Sequence, residues 1–237
     1  MKSLIQLLFL LSLSAALSAQ VVQVKSVQRV AVPDTVAHQT GKVAGIEPDG
    51  RHILLTDPAN RGLYRYTVLT KRAKRLSAED GAGYRVHVEK KGLRTLYTND
   101  YATAAHRAPR VAESDPQPLG PGQGYLWTSY SPSGEKYLFY VSGYGAFVCQ
   151  RDGSELQRIG ALRAARWLTE DIIIAMDDED DGEVVTASTI VAYDLRNGKR
   201  QALTDAALKM MYPYADSRGK KIACSSDDGN IYLITLR

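Results

Sequence analysis

Residues 177–183, which read Asp-Asp-Glu-Asp-Asp-Gly-Glu, are the densest group with metal-binding chemistry. Ca²⁺ prefers several oxygen ligands around a sharp glycine turn, and the first, third and fifth residues with Gly182 match the start of such a loop. The acid that closes a calcium loop at its twelfth position is absent, because Ser188 stands there. The run therefore favours a solvent-exposed hairpin loop over a calcium site, and we assign no metal ligand.

The four histidines do not form a zinc-like or catalytic group. His38, His52, His87 and His106 have no metal-ligand spacing, and no Gly-x-Ser-x-Gly elbow accompanies them. His87 lies in a predicted inner strand. If the protein is an enzyme, His87 together with an acid such as Asp100 is the candidate catalytic pair. We therefore expect no catalytic residue and no cofactor.

Aromatic and basic residues near the starts of predicted strands form the candidate binding surface. They are Tyr125, Trp127, Arg163, Arg166, Tyr212 and Tyr214. Such a surface suits a peptide or a sugar acid. A separate basic cluster at residues 71–75 has two interpretations. It contacts anionic lipid headgroups or polysaccharide, or it is a charged turn that deters edge pairing, which is the more usual role.

A repeat of about 42 residues positions these side chains. The turn glycines Gly50, Gly92 and Gly134 are 42 residues apart, and Gly219 follows two periods later, with Asp171 in the slot between. Runs that are apolar on consecutive residues come after the turns, at 53–56, 95–98, 137–141, 172–176 and 222–225. Consecutive apolar residues predict strands that are buried on both faces.

Each repeat unit has the pattern of a four-stranded antiparallel meander, with Asn-Gly and Asp-Gly at hairpin turns. The predicted fold is all-β, a β-propeller of about five four-stranded blades. Residues 21–30 are rich in β-branched types, and we expect them to supply the strand that the last unit lacks and to close the ring. An amphipathic helix over 154–168 is the competing interpretation, but Gly160 and the repeat favour a strand and connector.

The predicted organisation has a signal peptide at 1–19, a closing strand and lead-in at 20–41, and a propeller at 42–237. The propeller units are approximately 42–84, 85–125, 126–162, 163–207 and 208–237. The second unit becomes irregular after residue 100, so a sixth blade built from 100–125 stays open as an alternative.

The first residues predict export. One basic residue, the apolar run at 4–17 and small residues before residue 20 are typical of a secretory signal peptide, with an uncleaved anchor as the alternative. No cysteine near the cleavage site offers a lipid attachment point. Cys149 and Cys224 are too few for a disulfide framework, and we expect two separate buried thiols in a periplasmic or secreted protein.

Composition excludes several other classes. The chain has 44% hydrophobic and 24% charged residues, which is typical of a globular protein. The net charge of +4 shows no long basic tail, so we expect no nucleic-acid partner. We also expect a monomer that is not an integral membrane protein.

Three segments resemble the repeats of TolB-type propellers. Residues 130–139 look like their "WSPDGKKIAF" core, residues 225–232 resemble "SDRDGNxDIY", and residues 194–204 resemble "DLDGGxxxxLT". The resemblance covers residues 42–237 in pieces, with five units rather than the familiar six. It implies a propeller fold in a family that includes a periplasmic docking protein, propeller caps of serine peptidases and a few lyases.

Two functions are therefore considered. The first is a non-catalytic module of the cell envelope that binds a protein or glycan partner through loops and a channel mouth. The alternative is a glycan-active hydrolase or lyase with its site at the same channel mouth.

Overall fold

The computed structural model describes residues 20–33, 36, 40–91, 94–98 and 125–237. The strands, in chain order, are β1 (Val24–Arg29), β2 (Lys42–Ile46), β3 (His52–Thr56), β4 (Leu63–Thr67), β5 (Arg72–Ser77), β6 (His87–Lys91), β7 (Arg94–Thr98), β8 (Tyr125–Tyr130), β9 (Lys136–Val141), β10 (Gly145–Gln150), β11 (Gln157–Gly160), β12 (Arg163–Trp167), β13 (Ile172–Asp180), β14 (Val185–Asp194), β15 (Arg200–Ala202), β16 (Met210–Ala215), β17 (Lys221–Ser226) and β18 (Ile231–Leu236). One short 3₁₀ helix, Ala206–Leu208, precedes β16. The predicted signal peptide, His38, Asp100, His106 and the irregular segment after residue 100 lie outside the described residues.

The strands form antiparallel sheets that follow the order of the chain. The first sheet is β2-β3-β4-β5, the second is β6-β7, the third is β8 to β11, and the fourth is β12 to β15. The fifth sheet contains β16, β17 and β18, and β1 pairs with β18 as its fourth strand. The all-β prediction with repeated four-stranded antiparallel sheets is confirmed. Residues 154–168 form β11, a connector and β12, as the repeat predicts.

The central strands are buried on both faces, as their consecutive apolar residues predict. In β3, the side chains of Ile53, Leu54 and Leu55 are all 0% exposed. A strand in a single half-solvated sheet alternates apolar and polar residues, so this pattern requires a cover on each side. Cys149 and Cys224 are buried free thiols, as predicted.

Shared apolar clusters place the sheets next to one another in a series. Ile53 of the first sheet packs in one cluster with Leu233 of the fifth. The fifth sheet shares a second cluster with the fourth, and the fourth shares a third cluster with the third sheet. Val88 and Tyr97 of the second sheet pack against Leu54. Each of these neighbouring sheets therefore provides the cover that the next one needs.

The turn after the first strand of one sheet is tied to the same turn of its neighbour. Lys221 Nζ donates to the carbonyl oxygen of Gly50 at 2.8 Å, which links the fifth sheet to the first. Ser133 Oγ donates to Glu170 Oε1 at 2.8 Å, which links the third sheet to the fourth. Gly50 has φ of +64°, and an added Cβ would lie 2.7 Å from Asp216 Oδ2. The repeat glycine is therefore required by both the turn and the neighbouring sheet.

The acidic run differs from its predicted form. The apolar strand was expected to end at residue 176, but β13 continues to Asp180 and β14 begins at Val185. The two strands thus extend beyond the apolar core as an acidic hairpin. Within the described part of the chain, no helix has the length and apolar character needed to cross a membrane.

The pairing of β1 with β18 generates a first prediction. Deletion of residues 20–32 exposes the edge of β18 and removes Val30 and Val32, which pack on the cluster between the fifth and first sheets. An open edge strand promotes association with another chain. We expect a lower midpoint of thermal unfolding and a concentration-dependent oligomer, measured by circular dichroism and sedimentation velocity. Unchanged stability of a monomeric deletion variant would show that β1 does not support the fifth sheet.

Candidate functional site

The first strands of neighbouring sheets lie beside one another. Each of β2, β8, β12 and β16 is the edge strand of its sheet, and β12 contacts β8 and β16 while β16 contacts β2. We call this surface the first-strand edge. Along this edge the first strands of four sheets follow one another in the order β8, β12, β16 and β2.

A one-residue bulge interrupts each of these strands at the same repeat position. The pairing register shifts between Leu126 and Ser129 in β8, between Arg163 and Arg166 in β12, and at equivalent places in β2 and β16. Trp127, Ala164 and Tyr212 occupy the bulges with φ values of 49°, 49° and 54°. Positive φ disfavours residues with a Cβ, so packing must hold these conformations. The bulge changes the direction of the side chains that follow it.

The residues after two of the bulges form a cation–aromatic pair. The Arg166 guanidinium lies 4.0 Å from the centre of the Tyr214 ring, at the same repeat position of the next sheet. The ring face attracts the guanidinium and holds it in a defined orientation. Two residues of the predicted binding surface are therefore in contact.

Two buried polar atoms on neighbouring first strands have no partner among the described residues. Arg166 Nε and Ser129 Oγ are buried atoms without a hydrogen bond. Their strands are adjacent, because Trp167 Nε1 donates to the carbonyl oxygen of Ser129 at 3.3 Å. A buried donor without an acceptor costs about 1–3 kcal/mol, so a ligand that supplies acceptor oxygens here gains from pairing them.

A second cation–aromatic pair lies on the same edge. Lys42 Nζ is 5.6 Å from the centre of the Tyr212 ring and donates to Asn60 Oδ1 at 2.8 Å. Burial lowers the pKa of Lys42, and the negative charge of Asp57 partly opposes this. Sequence reasoning missed Lys42, which stands apart from any aromatic or basic cluster, and Ser129, a small polar residue among the aromatic residues of β8.

The other three predicted surface residues are placed differently. Trp127 packs edge-on against Tyr140, with ring centres 5.0 Å apart. Tyr125 is 1% exposed, lies in the aromatic cluster of the third sheet, and has a hydroxyl without a partner among the described residues. Arg163 faces the acidic hairpin, where its Nε donates to Asp178 Oδ1 at 2.9 Å.

The acidic hairpin distributes its carboxylates instead of gathering them. Asp178 and Asp180 are both paired with Arg163. Asp181 Oδ1 accepts hydrogen bonds from the backbone of Glu183 and Val184, which forms the tip of the hairpin. Successive strand residues point to opposite faces, so the run cannot converge on one ion as a calcium loop does. The arrangement agrees with the hairpin interpretation.

A buried carboxylate joins the first and second sheets. Glu47 is 0% exposed and accepts hydrogen bonds from Arg65 Nε at 2.5 Å and Arg65 Nη2 at 3.1 Å. The Tyr97 hydroxyl of β7 donates to the same carboxylate at 2.5 Å. His52 Nδ1 lies 3.0 Å from Glu47 Oε2. The sequence signal for this network is the glutamate that replaces Ser131 and Asp216 of the other repeats.

The groups Glu47, Asp49 and His52 are close enough to be considered as metal ligands. The Arg65 guanidinium already donates to both oxygens of Glu47, and its Nη2 lies 2.9 Å from His52 Nδ1. A cation would have to displace this positive charge from the same atoms. The donor set therefore fits an ion-paired link between sheets and does not fit a metal.

The network stabilises the ionised form of Glu47. Burial raises the pKa of this carboxyl, but hydrogen bonds from Arg65 and Tyr97 and the positive charges of His52 and Arg65 outweigh burial and hold it below its usual 4.5. Burial and the hydrogen bond to Glu47 raise the pKa of Tyr97 to about 12. The phenol thus remains a donor and the carboxylate remains an acceptor.

Comparison with known proteins gives structural similarities. No protein-family model and no curated protein matches the chain. The chain is similar to a putative TolB from Agrobacterium tumefaciens at 15% identity and a TM-score of 0.41, over 81% of this chain and 56% of that one. TolB from Acinetobacter baumannii matches at 11% identity and a TM-score of 0.37, over 83% and 53%.

An oligogalacturonate lyase in complex with manganese also matches, at 13% identity and a TM-score of 0.36, over 81% of this chain and 64% of the lyase. The solved structures similar to this chain thus include TolB and other propeller proteins, as the sequence motifs predict. The chain spans a little over half the length of the two TolB structures.

The Glu47 network generates a second prediction. Glu47→Gln keeps the shape of the side chain but removes the charge that compensates Arg65. We expect the free energy of unfolding in urea to fall by about 2–3 kcal/mol, less than the roughly 3–5 kcal/mol for a fully buried pair, because Arg65 is 32% exposed. Asp57→Asn breaks the more exposed pair with Arg61 and serves as the matched control, with a much smaller expected loss because solvent screens this pair. Equal losses in the two variants would contradict the structural importance of Glu47.

A third prediction concerns acid. Because the pKa of Glu47 is lower in the folded protein than in the unfolded chain, its contribution is complete above about pH 4.5 and is lost as the pH falls through the folded value. The difference in unfolding free energy between the wild type and Glu47→Gln should therefore shrink below pH 4.5. Hydrogen bonds from Arg196 lower the pKa of Asp194 to about 2. Asp194 is present in both proteins, so its contribution to the pH dependence cancels in the difference. A difference that grows on acidification would contradict the assigned direction.

Proposed function

We propose that this protein is a non-catalytic binding module of the cell envelope whose first-strand edge binds carboxylate groups of a protein or glycan partner. The observation that carries the proposal is the Arg166 guanidinium, held on the Tyr214 ring with a buried Nε that has no acceptor among the described residues. Ser129 Oγ provides a second unpaired polar atom on the adjacent strand. The site thus offers a fixed cation to an anionic ligand, and the hydroxyl lies on the neighbouring first strand.

A carboxylate suits this site for geometric reasons. Guanidinium groups donate two parallel hydrogen bonds to the two oxygens of a carboxylate. The aromatic ring under Arg166 keeps its plane in one orientation, so less side-chain freedom is lost on binding. Acidic side chains of a peptide and uronic acid units of a glycan both present this group next to an extended backbone.

The proposal treats the protein as a binder and not as an enzyme. A general acid needs a carboxyl whose pKa is raised toward the working pH. Near the first-strand edge, the Asp178 carboxylate is paired with Arg163, and the Glu47 carboxylate is paired with Arg65 and has a lowered pKa. The Glu47 carboxyl therefore stays ionised and is a poor proton donor.

The proposal includes the wider architecture of a secreted or periplasmic propeller. The pairing of β1 with β18 and the packing of the fifth sheet on the first support a ring of about five blades. The segment 1–19 directs export as a signal peptide, and the residues from 42 onward form the propeller.

The fourth prediction tests the site with two defined carboxylate probes. A poly-glutamate peptide and oligogalacturonate are titrated into the protein, and binding is followed by the fluorescence of Trp127 and Trp167. We expect Arg166→Gln to weaken binding at least about tenfold, the loss of one charge-assisted hydrogen bond. Arg151→Gln is the matched control, because Arg151 also lies over a tyrosine ring, 5.3 Å from the centre of Tyr130, but belongs to the turn after β10 and not to a first strand.

The outcomes separate the alternatives. Tighter binding of one probe identifies the partner as protein or glycan. Equal binding by Arg166→Gln and the wild type would refute the proposed site. Cleavage of oligogalacturonate that a substitution at the first-strand edge abolishes would establish the alternative, a glycan-active hydrolase or lyase. Crosslinking from envelope and culture supernatant, with Arg166→Gln as the negative control, then isolates the natural partner.

A further inference from the structure

The turn that joins β4 to β5 carries an apolar side chain in an unusual position. Leu69 is 90% exposed, the highest value among the exposed large apolar residues of the described chain. The turn is well defined, because Lys71 N donates to the carbonyl oxygen of Thr67 at 2.9 Å. Lys71 adopts φ of 54° to close the turn. Leu69 is therefore held outward by the fold.

Basic residues surround this leucine. We call the following group the basic tip: Leu69, Arg51, Lys71, Arg72 and Lys74, whose charged residues are all exposed. Val68 N donates to the carbonyl oxygen of Arg51 at 3.0 Å, which places Arg51 next to the turn. Within the described part of the chain, no carboxylate pairs with Lys71, Arg72 or Lys74.

Some basic residues elsewhere on the surface are ion-paired. Arg61 is paired with Asp57, Arg196 with Asp194, and Lys209 with Asp227. The tip of the acidic hairpin provides a contrast, because Val184 is 62% exposed there but follows Asp181 and Glu183. Among the described residues, Leu69 is thus an exposed apolar side chain among basic residues, and Val184 is one among acidic residues.

Protection of an edge strand explains the charges of the basic tip but not its exposed leucine. β5 is the outer strand of the first sheet, and lysine or arginine on such a strand prevents pairing with another chain. An exposed leucine has the opposite effect, since apolar surface promotes association. Unpaired cations beside one outward apolar side chain match a partner surface that is anionic on the outside and apolar beneath.

We propose that the basic tip is a peripheral contact with an anionic lipid membrane. Leu69 enters the boundary between headgroups and acyl chains, and the surrounding arginines and lysines contact the headgroups. A polysaccharide matches the charges but offers no apolar layer for Leu69. The tip lies at the end of the first sheet opposite to Lys42, which contacts the turn between β3 and β4. Membrane contact and partner binding therefore use different surfaces, and this inference does not depend on the proposed function.

The fifth prediction uses the full chain in flotation with two kinds of vesicle. One contains phosphatidylglycerol mixed with phosphatidylcholine, and the other contains phosphatidylcholine alone. We expect preference for the anionic vesicles that decreases with salt. Lys71→Gln with Arg72→Gln should lower partitioning about 25-fold, at about fivefold per charge. Leu69→Ser should lower it at least about tenfold, because one leucine side chain no longer enters the apolar layer.

Val184→Ser is the matched control, since it removes an exposed apolar tip from the acidic hairpin, and it should leave partitioning unchanged. Residues 4–17 are apolar in every variant, so the ratios between variants carry the test. Matching circular dichroism and thermal unfolding establish that each variant is folded. Three results overturn the proposal: no preference for anionic vesicles, unchanged partitioning of Leu69→Ser, or retention on an anionic polysaccharide column without vesicle binding.

Discussion

The structure depends on the need to cover both faces of every central strand. Strands such as β3, β9, β13 and β17 are apolar on consecutive residues, so a sheet with one face in water would expose half of its apolar side chains. Each sheet meets this need by packing on its neighbours, and the apolar clusters consequently extend from the third sheet through the fourth and fifth to the first. The stability of any one sheet is therefore shared with the next.

The same constraint decides where polar chemistry is located. Faces of the sheets are occupied by apolar packing, which leaves the edges and the turns. At the first-strand edge, the bulges bring Arg166 and Tyr214 of neighbouring sheets into contact. At the turns, Glu47 collects donors from β4 and β7. One location leaves hydrogen-bonding groups unpaired and suits recognition, whereas the other satisfies its carboxylate and holds two sheets together.

Turn chemistry made much of the architecture predictable. Gly50, Gly134 and Gly219 adopt positive φ at the positions that the 42-residue spacing indicates. The bulges were not predictable, because Trp127, Ala164 and Tyr212 belong to residue types that disfavour such conformations, and tertiary packing overrides that preference. The Glu47 network was also hidden, since its partners Arg65 and Tyr97 lie 18 and 50 residues further along the chain. The acidic hairpin is longer than expected because Arg163, distant in sequence, pairs with its carboxylates.

The pairing of Val27 with Ile234 joins residues 207 positions apart. Bringing the ends of so long a segment together costs chain entropy before the stabilising contacts form. We therefore expect the pairing of β1 with β18 to be one of the slow steps in folding. During synthesis β1 emerges first and has no strand to pair with until β18 has been made. The fifth sheet is consequently completed only after β18 has been translated, and until then β1 and the fifth sheet keep open edges on which a chaperone can act.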